Sequence, residues 1–138
     1  EVPSRGLGDV YKRQVLEWMI PAPGQGIIGI ASMKKNEKIA SIIKELNCEE
    51  TMVCAEIERN FLRTIQAGCS APVGAYAYIK NKKIYFKTGI FSIEGKEALL
   101  HEVEIPLDKA KGLGEKLAFQ VLKKGGSKLM EKIKNQMR

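Results

Sequence analysis

This chain is poor in the residues that build metal centres. It holds one histidine, His101, and three cysteines, Cys48, Cys54 and Cys69. No two of these cysteines have C-x-x-C spacing, which argues against a structural zinc site. An odd number of thiols also argues against a disulfide scaffold, and free thiols in a reducing compartment follow. No apolar run approaches the roughly 18 residues that a bilayer-spanning helix needs, and no signal-peptide core stands near the N-terminus. The reading is therefore a soluble cytoplasmic protein. Aromatic residues are few, four Phe, four Tyr and one Trp. They form no RNP-like pattern, and no GXXG clamp lies between helices.

That scarcity bears on the charge. A net charge of +7 invites a second reading, a small basic nucleic-acid-binding α+β module. The basic residues are spread along the chain, however, with only a modest concentration over 123–138. There Leu129, Met130, Ile133 and Met137 recur at helical spacing, so the tail reads as a helix with a solvated basic face. The positive charge suits an acidic small-molecule substrate equally well. With 138 residues, 44% of them hydrophobic, the chain fits one modest globular domain.

Residues Asp9-Val10-Tyr11-Lys12-Arg13-Gln14 are what GAT-GTG-TAT-AAG-AGA-CAG encodes, a string that resembles the end of a transposase-based sequencing adapter. Residues 1–14 are accordingly read as a non-native leader, and the natural sequence as continuing upstream of Val15.

From there, Pro21-Ala22-Pro23-Gly24-Gln25-Gly26 is turn-forming. The apolar run 27–31 reads as a buried strand, yet nothing nearby supplies its sheet neighbours. Asn36 caps a predicted helix through Leu46, with Ile39, Ile42, Ile43 and Leu46 on one face. A second helix is predicted from Glu49 or Thr51 to Gln66, with Val53, Ile57, Phe61 and Ile65 in one row. Ala67-Gly68 should end it, glycine being the usual left-handed C-cap. Three strands follow, over 75–80, 83–92 and 98–105, joined by turns at Asn81-Lys82 and Glu94-Gly95. A helix from Pro106-Leu107-Asp108 to Lys124 has first turns weakened by Gly112 and Gly114. Gly125-Gly126 breaks the chain, and Ser127 caps a last amphipathic helix. The fold class is α+β: a small three-stranded antiparallel sheet with helices packed on one face.

The chemistry centres on Glu58-Arg59-Asn60-Phe61-Leu62 and, a few residues on, Ala67-Gly68-Cys69-Ser70-Ala71-Pro72-Val73-Gly74-Ala75-Tyr76-Ala77. A helix stops at a glycine, a cysteine follows on a short loop, and Pro72 and Gly74 lead into the sheet. A thiol so exposed suits attack on an electrophile, since the thiolate is the reacting species. The alternative is a small apolar side chain packed under the loop.

These residues resemble the G-G-C-Q-V-P-I-G-A-Y-A segment of porphobilinogen deaminases (hydroxymethylbilane synthases) and the A-E-R-A-F-L helix before it. A second family signature, P-A-P-G-Q-G followed by an apolar strand, is matched by Pro21 to Gly26 and by Ile27 to Ile30. The two occur in the family's order with a helix between. Departures are Ala67 for the first glycine, Ser70 and Ala71 for Gln and Val, Ile57 for Ala, and Ala31-Ser32-Met33 where Glu and a basic residue are usual.

The resemblance implies an enzyme that condenses four porphobilinogen molecules, releasing ammonia, into hydroxymethylbilane for porphyrin and heme biosynthesis. It implies a dipyrromethane cofactor held through a thioether by Cys69, with Gln25 a secondary candidate for pyrrole contact or else part of a hinge. Residues 15–47 would be the returning strand and helix of an upstream catalytic domain, and 48–138 the cofactor-carrying domain. The general acid/base and the substrate arginines belong to upstream segments in this family. No catalytic residue is therefore assigned here, and the chain alone is read as inactive. The full-length enzyme is implied to be a monomer with no metal, nucleic-acid or membrane partner. Cys48 and Cys54 are read as bystanders on helix faces, and His101 as a surface residue.

Overall fold

The structure is a computed structural model and describes residues 15–68 and 71–137. The predicted leader 1–14 lies outside the described residues, as do Cys69, Ser70 and Arg138.

Helix α1, Glu37–Glu45, begins as the sequence indicates: Asn36 Oδ1 accepts the Ile39 N–H at 3.1 Å. Glu37 in the first turn and Lys44 in the last both suit the helix dipole. None of its residues is buried, although one face is apolar. Helix α2, Glu49–Ile65, buries Cys54, Ile57, Glu58, Phe61 and Ile65. Its left-handed cap falls on Gln66 at φ 56°, not on Gly68. The Gln66 N–H turns back to the Arg63 carbonyl at 3.1 Å and closes the helix before the glycine is reached.

Strands β1 (Val73–Lys80), β2 (Lys83–Phe91) and β3 (Ala98–Pro106) pair antiparallel in the order β1-β2-β3. Asn81 and Lys82 both take positive φ, 52° and 59°, as a two-residue hairpin with right-handed strand twist requires. Lys80 then faces Lys83 and Ala77 faces Phe86, while Ile84 faces Ile105 across the second ladder. This register sets Val73, Ala75, Ala77, Ile84, Phe86 and Ile90 on the buried side. Tyr76, Tyr78 and Tyr85 lie on the other, where the rings of Tyr78 and Tyr85 stack at 4.9 Å. Ser92 leaves the strand instead of ending it, and its Oγ accepts the N–H groups of Lys96 and Glu97 in the β2–β3 turn.

After β3 the chain makes a 3-10 turn at Leu107–Lys109, and α3 starts only at Leu113, running to Val121. Gly112 at φ 72° separates the two, so the expected single helix from Pro106 is interrupted. Helix α4, Ser127–Gln136, follows a kinked turn at Leu122–Gly126 in which Gly125 takes φ 114°. Ser127 is not a cap, because its Oγ donates backward to the Leu122 carbonyl at 3.2 Å. The kink keeps Ser127 in helical geometry rather than in the extended geometry of a capping residue.

Helices cover one sheet face. Phe61 of α2 meets Phe86 of β2 edge to face at 5.7 Å, and both rings are fully buried. Burial of such rings contributes roughly 1.5–3 kcal/mol apiece. Helices α2 and α3 cross so closely that a Cβ on Gly114 would sit 2.2 Å from the Ile57 carbonyl oxygen. The predicted strand over 27–31 does not form: these residues are neither helix nor strand, and Ile28 is 89% exposed. An apolar strand forms only against a partner, and this segment pairs with none of the described strands.

Candidate functional site

The two signature segments meet at Glu58. This side chain leaves the buried face of α2, is 3% exposed, and uses both carboxylate oxygens on backbone donors. Oε1 accepts the Ala77 N–H of β1 at 2.7 Å, and Oε2 accepts the Gly24 N–H of the 21–26 turn at 2.7 Å. Burial pushes the carboxyl above its ordinary range, and the two N–H groups pull it partly back. A buried charge persists only with such donors around it.

Further contacts fasten the same turn. The Pro21 carbonyl accepts the Ala75 N–H at 3.0 Å. A Cβ on Gly74 would come within 2.9 Å of Ile20, so this approach requires glycine. Gly24 itself takes φ 75°, in the left-handed region that side chains avoid. Gln25 is exposed at the turn, its N–H donating to the Ala22 carbonyl at 3.1 Å.

The predicted cofactor residue, Cys69, lies outside the described residues. Its chain neighbours are tied down: the Ala71 N–H donates to the Gly68 carbonyl at 3.0 Å, and the Phe91 N–H to the Pro72 carbonyl at 3.0 Å. An open cleft of about 410 Å³ runs along the end of α2, lined by Arg59, Leu62, Arg63, Gln66, Ala67 and Gly68. Its described lining includes Gly68, the residue before Cys69 in the chain. Arg63 Nη1 reaches Asn60 Oδ1 at 3.4 Å. The ion pairs among the described residues join Lys83 to Glu104, Lys87 to Glu102 and Lys132 to Glu97, so neither arginine is neutralised by one. The i, i+4 spacing of Arg59 and Arg63 was the sequence signal for this cleft; sequence reasoning placed binding arginines only upstream.

The other thiols differ from each other. Cys54 is buried, and burial together with the Glu58 and Glu50 charges pushes its thiol up to about 11. Cys48 is exposed at the N-cap of α2 rather than on a helix face, and Thr51 with the first helix N–H groups lowers its thiol. His101 lies in β3, half-buried opposite Thr88, its Nε2 3.4 Å from Lys124 Nζ. Among the described residues no group of three or more His, Cys, Asp or Glu side chains could hold a metal ion. No described helix is long and apolar enough to cross a membrane.

The family model for the porphobilinogen deaminase C-terminal domain matches residues 52–123, just over half of the chain. Among curated proteins, the porphobilinogen deaminase of Limosilactobacillus reuteri (strain DSM 20016) is 34% identical over 118 residues, covering 86% of this chain and 38% of that protein. That of Chlorobium phaeovibrioides is 32% identical over 122 residues, with 86% and 39% covered. That of Chloroherpeton thalassium is 34% identical over 120 residues, with 84% and 38% covered. The chain thus spans under two fifths of the length of these relatives. By the extent of that match, the chain belongs to the porphobilinogen deaminase family and carries its C-terminal domain.

Proposed function

We propose that the full-length protein is a hydroxymethylbilane synthase, joining four porphobilinogen molecules into a linear tetrapyrrole with release of ammonia. Cys69 is its cofactor-bearing residue. The observation that carries this reading is the cleft of Arg59 and Arg63, whose lining includes Gly68, next to Cys69 in the chain. Porphobilinogen and a dipyrromethane built from it bear acetate and propionate groups. Guanidinium groups hold carboxylates through charge-assisted, often bidentate hydrogen bonds. The residues present therefore fit an anionic pyrrole group attached at position 69. When bound, the dipyrromethane supplies the pyrrole carbon from which the product chain grows.

This chain's own residues do the holding. The Cys69 sulfur anchors the group as a thioether, which does not hydrolyse readily. Anchoring keeps the growing chain at high effective concentration beside the reacting centre. Arg59 and Arg63 neutralise carboxylates along α2. Gln25, exposed on the turn tied to Glu58, offers an amide for pyrrole contact. The general acid/base and the remaining arginines come from upstream sequence.

The same reading divides the chain at residue 48. Residues 15–47 pack with an upstream catalytic domain, which is supported by the exposure of Ile28, Met33 and Leu46 at 89%, 81% and 67%. Residues 48–138 form the cofactor-carrying domain, and 1–14 are foreign to the protein. The enzyme works in the cytoplasm as a monomer, on a small-molecule substrate, without metal, nucleic acid or membrane.

Two measurements test this. Peptide mass spectrometry of the active full-length protein should find two pyrrole units on the Cys69 peptide, and bare cysteine there refutes the assignment. The 138-residue chain alone should form no hydroxymethylbilane from porphobilinogen.

A further inference from the structure

We infer that Glu58 is a positioning residue, a clasp that fixes the 21–26 turn, and with it Gln25, against the strand that follows the Cys69 loop. The inference rests on the proposed function and assigns a role to a residue whose two carboxylate oxygens are taken up by backbone donors.

The geometry singles out Glu58 in three ways. Its two partners belong to separate parts of the chain, Gly24 lying 34 residues before it and Ala77 19 residues after. Both partners are backbone N–H groups, so no change of side chain at positions 24 or 77 can replace the acceptor. Only a side chain with two acceptor oxygens at position 58 satisfies both donors. Finally, the clasped turn is peripheral to the core built by Phe61, Phe86, Ile84, Ile90 and Leu117. That core keeps its own contacts when the turn is released. A residue acting only as mortar would be tied to the core alone, whereas Glu58 bridges the core strand and the turn that carries Gln25.

The loss of one oxygen should therefore displace the turn and leave the domain standing. In Glu58→Gln one amide oxygen still accepts, but the –NH₂ group confronts the other N–H, donor against donor. The full-length protein carrying this change should keep its far-ultraviolet circular dichroism and its cofactor. Its kcat should fall on the order of 10- to 100-fold while KM changes far less, as for a misplaced reacting constellation. Glu58→Asp keeps the charge but not the reach, and should lie between wild type and the Gln variant. Hydrogen exchange supplies a readout independent of turnover. The Gly24 amide should exchange faster in Glu58→Gln, with the Phe61 and Phe86 amides unchanged. Wild-type kcat together with unchanged Gly24 exchange would overturn the inference. So would an activity loss matching the loss of folded protein in both variants. If Glu58→Gln does not fold, Glu58→Asp decides by the same measurements. Failure of the parent reading is separate: it shows in the wild type, as no porphobilinogen consumption and no pyrrole adduct.

Discussion

Gly24 donates its N–H to Glu58 Oε2 at 2.7 Å across 34 residues of chain, joining a turn to the buried face of a helix. Through Oε1 the same carboxylate reaches Ala77 in β1. One side chain thus ties together the two segments by which the sequence resembles its family.

Glu58 gives stability a pH dependence of definite sign. Its folded-state pKa is raised, so the folded chain binds this proton more tightly than the unfolded chain does. Its contribution to stability is thus greatest below the ordinary glutamate value of about 4.3 and is lost as pH rises through the raised folded value. Cys54, its thiol pushed up to about 11, stays protonated and uncharged through this window, and the 20–26 turn and the inward residues of β1 carry no titratable group. Urea denaturation across acidic pH should show wild type losing stability relative to Glu58→Gln as pH rises through this window. Parallel curves would contradict the assignment of the shift to this carboxyl.

The arginine cleft predicts a binding defect. Arg63→Glu in the full-length enzyme should raise KM for porphobilinogen on the order of tenfold, with a smaller change in kcat, since it replaces a carboxylate partner by a repelling charge. Arg59→Ala should act in the same direction. Steady-state kinetics check both, and an unchanged KM in each would remove the cleft from the binding surface.

Helix packing yields a contrast between two glycines. Gly114→Ala drives a methyl toward the Ile57 carbonyl at 2.2 Å, and backbone cannot yield as a side-chain tip can. A loss of about 1–3 kcal/mol or more is expected from chemical denaturation. A Cβ on Gly68 meets nothing within 4 Å, and its φ is not in the left-handed region, so Gly68→Ala should change stability little.

Thiol reactivity separates Cys48 from Cys54. Buried and pushed up to about 11, Cys54 is almost wholly protonated near neutrality. Cys48 is exposed and its thiol is lowered. Iodoacetamide on the native protein followed by peptide mapping should label Cys48 well before Cys54, and equal rates would contradict the burial.

Elements governed by local rules were legible in the sequence. Asn36 caps α1 as read, and the alternation Ile84, Phe86, Thr88, Ile90 gives the buried side of β2. The Asn81-Lys82 turn sets the register of β1 on β2. Misreadings arose where tertiary context overrides a local signal. The run 27–31 has strand composition but pairs with none of the described strands, and Gln66 closes α2 before Gly68 is reached. Gly125 kinks the last two helices without separating them, so Ser127 has no cap to make. The candidate site was half legible. Cys69 and the proline-glycine turn stood out as patterns, whereas the clasp did not. A carboxylate bonded to two distant backbone groups has no period or spacing, and Glu58 read only as one letter of a helix.

Intact-peptide mass spectrometry of the active full-length protein reads the state of the Cys69 sulfur. The Cys69 peptide should carry the mass of two linked pyrrole units, the adduct should persist after turnover, and Cys69→Ser should yield protein without adduct or activity. A fully active enzyme with an unmodified Cys69 peptide would contradict it.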